Sequence, residues 1–437
     1  MRRTVNGGMA CIVAALPGLV VAAQAPDAEE GFRYSVSAGA IYTDNAGRSH
    51  TNQESETSAE LGVNAMLRHE RERQTASLAA DLQFQSHSYG TYADGVVGGA
   101  TASAGYRLFR DALTWTIDDE FGKALIESHS LATPDNTQNL NVLSTGPDIR
   151  LPLGPRTGVL VQGRWTDVSY EKSSYGNRRL SGVLGLMRQL GEHSSVSLNG
   201  STEHVNYKEL PSASDYDINS AYVSWTAAGA RTTVQLDAGY SSLEEQADST
   251  GGATFGLELI RVLTASATLT LHAGRSFGDS ADALGREHGI RGVSIGDRPA
   301  TVSSDPQKAD YATLAWRFNG PRSTISLSGS WRREAHEREA DLNRRAMDGR
   351  LELSRRLSPR LTLEFSTTYE TEDFSNASIE FDEWGVGLGL RWGLSSGLGI
   401  GVAIDRLIGS GDTVLGPNTR DYTENRGTLR LTWTPGG

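Results

Sequence analysis

The chain has 437 residues, of which 41 are Lys or Arg and 53 are Asp or Glu, and only 38% are hydrophobic; glycine is abundant at 49 and there is a single cysteine. A formal charge of −12 argues against a general nucleic-acid binder, which needs a basic surface to neutralise phosphates. One cysteine excludes an intrachain disulfide framework and a thiolate zinc site, and beyond the first two dozen residues no apolar run reaches the ~18 residues of a transmembrane helix.

The N-terminus reads as a secretory signal peptide over residues 1–23: Arg2 and Arg3 form a basic start, and Met9 to Ala23 is apolar and ends in small residues suited to cleavage. Cleavage removes Cys11, and losing Arg2 and Arg3 leaves 39 basic against 53 acidic residues. Residues 24–30 read as a short leader. The rest, 31–437, shows no composition break and is expected to be one domain.

From Gly31 onward apolar and polar residues alternate over stretches of about ten, the period-two pattern of strands with two unlike faces. Val234, Leu236, Ala238 and Tyr240 oppose Gln235, Asp237 and Gly239. Leu361, Leu363, Phe365 and Tyr369 oppose Thr362, Glu364, Ser366 and Thr368, and Ile325, Leu327 and Trp331 face away from Ser326, Ser328, Ser330 and Arg332. Short turns (154–156, 191–193, 319–322, 358–360 and 395–397) alternate with longer polar connections (45–56, 126–138, 206–216, 278–306 and 408–424). Short turns on one rim and long loops on the other are the arrangement of an outer-membrane barrel. The expected fold is therefore all-β: a closed, transmembrane, antiparallel, up-and-down β-barrel of about 18–20 strands, with room for ~9–11 membrane residues in each. A propeller or solenoid would repeat a signature about every 40–50 residues, and none recurs.

Barrel closure also accounts for the low hydropathy, since only the lipid-facing half of each strand must be apolar. The eight tryptophans lie mostly near strand ends, where an interfacial girdle belongs. The last strand, with Leu429, Leu431 and Trp433, resembles the terminal strand by which such barrels are recognised for assembly, although Thr434 to Gly437 follow the aromatic.

The opposite face of the strands supplies the candidate lumen residues. They are Arg164, Asp237, Glu258, Arg317, Arg332, Arg350, Glu352, Glu364, Arg391 and Arg430, with Glu60, Asp81, Asp118 and Glu120 alongside. Both signs are present, and the alternatives of a selectivity ring and simple pairing across the lumen stay open. Gly385, Gly387, Gly389, Gly399 and Gly401 fall on this inner face too. They would give a smooth wall with room for a polymer or for loop 278–306, or mark strand bending.

Catalytic patterns fail on context. Gly274-Arg-Ser276-Phe-Gly278 has nucleophile-elbow spacing but closes a strand where a helix would have to follow. His69-Glu70 and His336-Glu337 lack the second histidine of a zinc-protease helix, since Arg73 and Ala340 stand there. The carboxylates Glu370, Glu372, Asp373, Glu380, Asp382 and Glu383 read as an acidic rim, or as a site for divalent cations shared with lipopolysaccharide phosphates. No catalytic residue, metal or cofactor is expected.

The first strand ends in Tyr42-Thr43-Asp44-Asn45. This resembles the opening of a family of outer-membrane β-barrel porins found in exopolysaccharide gene clusters, whose first strand leads into an aromatic-x-Asp-Asn turn. Here Ala46-Gly47 follow, in place of that family's usual apolar residue. The resemblance implies a conduit or accessory for polysaccharide secretion, with polysaccharide and a periplasmic export protein as candidate partners; the barrel itself implies outer-membrane lipid and lipopolysaccharide as partners, and no nucleic acid. A general or selective porin for small solutes, and a plugged structural barrel, are the competing expectations.

Overall fold

The computed structural model describes residues 30–435, apart from 110–111, 212–213, 246–247, 280–299, 302, 375, 396 and 413–419. The expected signal peptide and nearly all of the leader lie outside the described residues.

Residue by residue, the strands are β1 (Gly31–Thr43), β2 (Glu56–Glu70), β3 (Gln74–His87), β4 (Gly95–Phe109), β5 (Leu113–Leu125), β6 (Thr137–Pro152) and β7 (Thr157–Tyr170). Then follow β8 (Asn177–Gly191), β9 (Ser194–Tyr207), β10 (Tyr216–Ala228), β11 (Thr232–Glu245), β12 (Asp248–Thr264) and β13 (Ala267–Gly278). The chain ends with β14 (Ala300–Thr301), β15 (Gln307–Asn319), β16 (Ser323–His336), β17 (Arg344–Arg356), β18 (Leu361–Phe374), β19 (Ile379–Ser395), β20 (Leu398–Asp412) and β21 (Tyr422–Trp433).

Every strand except β14 pairs antiparallel with its sequence neighbours, β13 joining β15 directly. β1 pairs with both β2 and β21, so the sheet closes on itself. The result is a barrel of twenty wall strands, and each of the alternating segments read from the sequence falls within one of them. The strands run further outward than the pattern suggested: β20 reaches Asp412 and β21 starts at Tyr422, which shortens the loop expected at 408–424.

The register shifts of the wall, at Val262/Thr264, Gly393/Ser395, Arg107/Phe109 and Gln189/Gly191, lie beside the short turns, so the two faces stay continuous across the rest of each strand. Outward, large apolar side chains such as Leu61, Leu180 and Ile404 remain exposed, and all eight tryptophans lie on this face. Trp115, Trp225, Trp316, Trp392 and Trp433 lie toward the short-turn rim, with Trp165, Trp331 and Trp384 toward the long-loop rim. An apolar belt between two tryptophan girdles, on a sheet with no open edge, is the solution for crossing lipid with every backbone group paired. The protein is an outer-membrane β-barrel with its long loops on the outer rim.

Candidate functional site

Inward, the registers carry a polar row from strand to strand, for example Ser103, Asp118, Ser144, Thr166 and Arg179 on β4 to β8. The ten candidate lumen residues all occupy this inner face by register. Arg164 donates through Nη2 to Asp148 Oδ1 at 2.6 Å, and that carboxylate also accepts from Gln162 at 2.9 Å. Asp237 accepts hydrogen bonds from Ser224 and Gln235, and Glu258 opposes Gln235 and His272. Arg332 pairs with Glu334 at 3.3 Å, Arg350 with Glu352 at 2.8 Å, Arg391 with Glu364, and Arg430 with Glu60 at 2.5 Å. Arg317 opposes Thr268 and Ser326. All six members of this set on β16 to β21 are thus engaged: Arg350 with Glu352 and Arg391 with Glu364 inside the set, and Arg332 and Arg430 with Glu334 and Glu60 just beyond it.

Glycines on this face make room for neighbouring side chains. A Cβ at Gly387 would collide with Asp405 Oδ1 and lie 2.6 Å from Ser366 Oγ, and one at Gly385 would collide with Thr368 Oγ1. The smooth wall expected at these glycines is therefore overlain by polar groups of β18 and β20 at Gly385 and Gly387, whereas a Cβ at Gly389, Gly399 or Gly401 would meet nothing closer than 3.5 Å. Gly39 acts similarly on β1, where a Cβ would lie 2.9 Å from Glu60 Oε1; its absence lets Arg430 of β21 reach across β1 to β2.

Toward the outer rim the inner-face side chains are more deeply buried. Ala124, Leu140 and Val168 form one fully buried cluster, and Val205, Tyr207, Tyr216 and Leu243 another. Arg179 is buried and grips Asp279, just beyond β13, with Nη2 2.6 and 2.8 Å from its two oxygens; the Tyr207 hydroxyl lies 3.2 Å from the same carboxylate. Arg344 joins Glu334 at 2.6 Å to Glu372 at 3.0 Å, all three buried. Asp305 accepts from the Arg338 and Glu339 amides at 2.8 and 2.7 Å.

Loops from opposite sides of the wall meet over this layer. His129, between β5 and β6, bonds the Asp341 carbonyl at 3.0 Å and stands edge-on to Phe374, whereas Asp341 lies between β16 and β17, roughly half the circumference away. The connection from β13 to β15 also turns inward: its short β14 pairs in parallel with Ala124–Leu125 of β5. β5 has a free edge there because β4 leaves it beyond Ala100, bending at Gly98, whose φ of +110° and closeness to the Asp81 carbonyl exclude a side chain. Residues 280–299 and 302 of the expected plugging loop lie outside the described residues.

At the outer end of the seam between β1 and β21, the Tyr42-Thr43-Asp44-Asn45 turn is engaged throughout. Thr43 donates to Glu424 at 2.8 Å, Asp44 accepts from the Asn425 amide and side chain at 2.8 and 2.7 Å, and buried Asn45 donates to the Ser49 and Thr423 carbonyls at 2.8 and 3.0 Å. Arg48, at φ 49°, bridges Glu424 and Glu383. Burial alone would lower the pKa of this guanidinium, but Tyr422, Glu383 and Glu424 hold it above its ordinary value.

Alternation divides the acidic cluster between two faces. Glu370, Glu372 and Glu383 point inward, Glu372 toward Arg344 and Glu383 toward Arg48, while Asp373, Glu380 and Asp382 point outward. Ser276 lies within β13, so its motif forms no strand-to-helix elbow.

No protein-family model and no curated protein matches the chain. Among solved structures, a mutant of the ferric enterobactin receptor PfeA from Pseudomonas aeruginosa shares 10% identity over 92% of this chain and 80% of its own, with a TM-score of 0.44. The siderophore receptor PirA from Acinetobacter baumannii has a TM-score of 0.43 at 8% identity, over 93% of this chain and 80% of its own. OccK2 from Pseudomonas aeruginosa has 0.37 at 11%, over 93% and 98%. Likeness at this level carries no weight here, and the barrel is read from its own pairing.

Proposed function

We propose that the barrel is a passage for small hydrophilic solutes across the outer membrane, narrowed at its outer mouth. The observation that carries this reading is the joining of loops from opposite sides of the wall, His129 to Asp341 and Phe374, above a lumen lined with paired charges. Such a mouth suits molecules that slip between side chains more than a polymer that must thread continuously, and alternating arginines and carboxylates favour hydrated, polar cargo. Reconstitution into planar bilayers and sugar-loaded liposomes tests it. Discrete conductance and permeation by small saccharides, with long oligosaccharides excluded, is the expected result; an electrically silent barrel would reject it.

A role in exopolysaccharide secretion is the second reading, favoured by the Tyr42-Thr43-Asp44-Asn45 turn and its resemblance to porins of exopolysaccharide clusters. Deleting the gene in the native host separates the two. Loss of extracellular polysaccharide with normal solute uptake, restored by complementation, would support secretion, and the reverse pattern would support the solute channel.

A further inference from the structure

The place where β4 parts from β5 is an opening in the wall as well as the seat of β14. Pairing between the two strands ends at Ala100 and Phe121, yet β4 runs on beside β3 to Gly95 and β5 runs on beside β6 to Leu125. β14 takes up only Ala124 and Leu125. Among the described residues, the β5 edge at Gly122 and Lys123 and the β4 edge from Gly95 to Gly99 therefore have no strand beside them. An edge left open toward lipid is what closure of a barrel otherwise abolishes. Gly98 fixes the bend, since its φ of +110° suits glycine and an added Cβ would collide with the Asp81 carbonyl.

The opening is apolar on both sides. Outward, Leu82 and Phe84 of β3, Val96 of β4 and Phe121 of β5 surround it, and polar pairing takes over two residues further out, at Lys123 and Asn139. The split therefore sits at the outer edge of the apolar belt. On the inner face most of the wall carries hydroxyls and paired charges, but here the strands present Val97, Ala124, Leu140 and Val142, of which Ala124 and Leu140 pack with Val168. An apolar track thus runs from the lumen through the wall to lipid, the ground on which an acyl chain leaves water. Carboxylates stand on both faces of β5 just toward the membrane centre: Asp119 outward, accepting from Asn141 at 3.0 Å, and Glu120 inward. Such groups accept hydrogen bonds from hydroxyls and repel an anionic head.

We propose that the split between β4 and β5 is a lateral passage between the lumen and the outer leaflet for a single-chain amphiphile with an uncharged, hydroxyl-bearing head, closed at its outer end by β14. This passage is separate from the axial route for hydrophilic solutes. The test is photolabelling of the purified full-length barrel in lipid nanodiscs with a monoacylglycerol that carries a diazirine in its acyl chain, the adducts being mapped by mass spectrometry. The wild type should show adducts at the inner-face residues Val97 and Val142, besides those on outward side chains that any bilayer lipid reaches. G98A should lower the inner-face adducts about tenfold, because a side chain strains the bent backbone that keeps the strands apart, and should leave the outward ones unchanged. V97W, which fills the inner rim at a half-buried position, gives the same reading at Val142 if G98A fails to fold. V183N, on the inner face of β8, should label as the wild type does. Adducts confined to outward side chains, inner-face adducts undiminished in G98A or V97W, or equal inner-face labelling by the corresponding fatty acid would each overturn the proposal.

Discussion

The seam between β1 and β21 and the hairpin joints elsewhere in the wall solve one problem by different means. At a hairpin, chain continuity holds two strands in register and a turn of a few residues suffices, as at Gly191 to Ser194. The seam joins residues some 380 positions apart without such a tether, so closing it costs more chain entropy. Here the structure places a polar clasp: Thr43 with Glu424, Asp44 with Asn425, Asn45 with Thr423, and Arg430 reaching over Gly39 to Glu60. Specific side-chain chemistry concentrates where connectivity is missing.

Four measurements would break or sharpen this contrast. The largest effect is expected from Gly39→Val, because a Cβ there would meet the Leu429 carbonyl at 2.5 Å as well as Glu60. Overpacking of this kind costs roughly 1–3 kcal/mol, and it should remove the compact, heat-modifiable band in electrophoresis; Gly349→Ala, with nothing within 4 Å, should leave it intact. A normal band from Gly39→Val would mean that the seam tolerates what its geometry forbids.

Next comes Asn45→Ala, which strips a fully buried residue of its side-chain bonds and leaves the Thr423 carbonyl without that donor, a loss of about 1–3 kcal/mol. Asn136 makes a similar set of bonds inside a hairpin loop, to Glu127 and Leu131. Its alanine variant should shift the urea midpoint less, since the strands on either side stay tethered. Equal shifts would erase the distinction.

A smaller term belongs to Arg430 and Glu60. A double-mutant cycle with R430Q and E60Q should give a coupling near 1 kcal/mol, since the arginine is partly exposed and screened. No coupling would mean that the bridge over Gly39 contributes only geometry.

The smallest is a pH effect. Burial tends to raise the Asp44 pKa, but the hydrogen bonds from Asn425 prevail and hold it below the usual carboxylate value. A depressed folded pKa gives stability that is present above the unfolded value near 4 and is lost as pH falls through the folded value. The stability gap between wild type and Asp44→Asn, followed by urea unfolding, should therefore be constant at neutral pH and narrow below about pH 4. A gap that stays constant to pH 2 would remove Asp44 from the clasp.

The wall itself was legible because period-two alternation is a local signal: each strand announces which residues face lipid, and the ten candidate lumen residues follow from that count. The Tyr42 to Asn45 turn was visible as a motif, but its work was not, since Thr423, Glu424 and Asn425 lie at the other end of the chain and carry no pattern that points back to it. The bridge from His129 to Asp341 was hidden for the same reason. Arg179 escaped notice because its partner, Asp279, belongs to a connection whose inward turn nothing in the strand pattern encodes. The inner-face glycines were visible by their side of the strand, but the sequence does not show that Asp405 and Ser366 fill the space above Gly387.

The bend at Gly98 bears on how the molecule assembles. Where β4 leaves β5, the wall exposes unpaired backbone groups at Ala124 and Leu125, and β14 takes them up from a distant part of the chain. Closing a contact of such high sequence separation costs chain entropy before the pairing rewards it. The notch at β5 offsets that cost by presenting unpaired backbone groups as the template on which the β13 to β15 connection is registered.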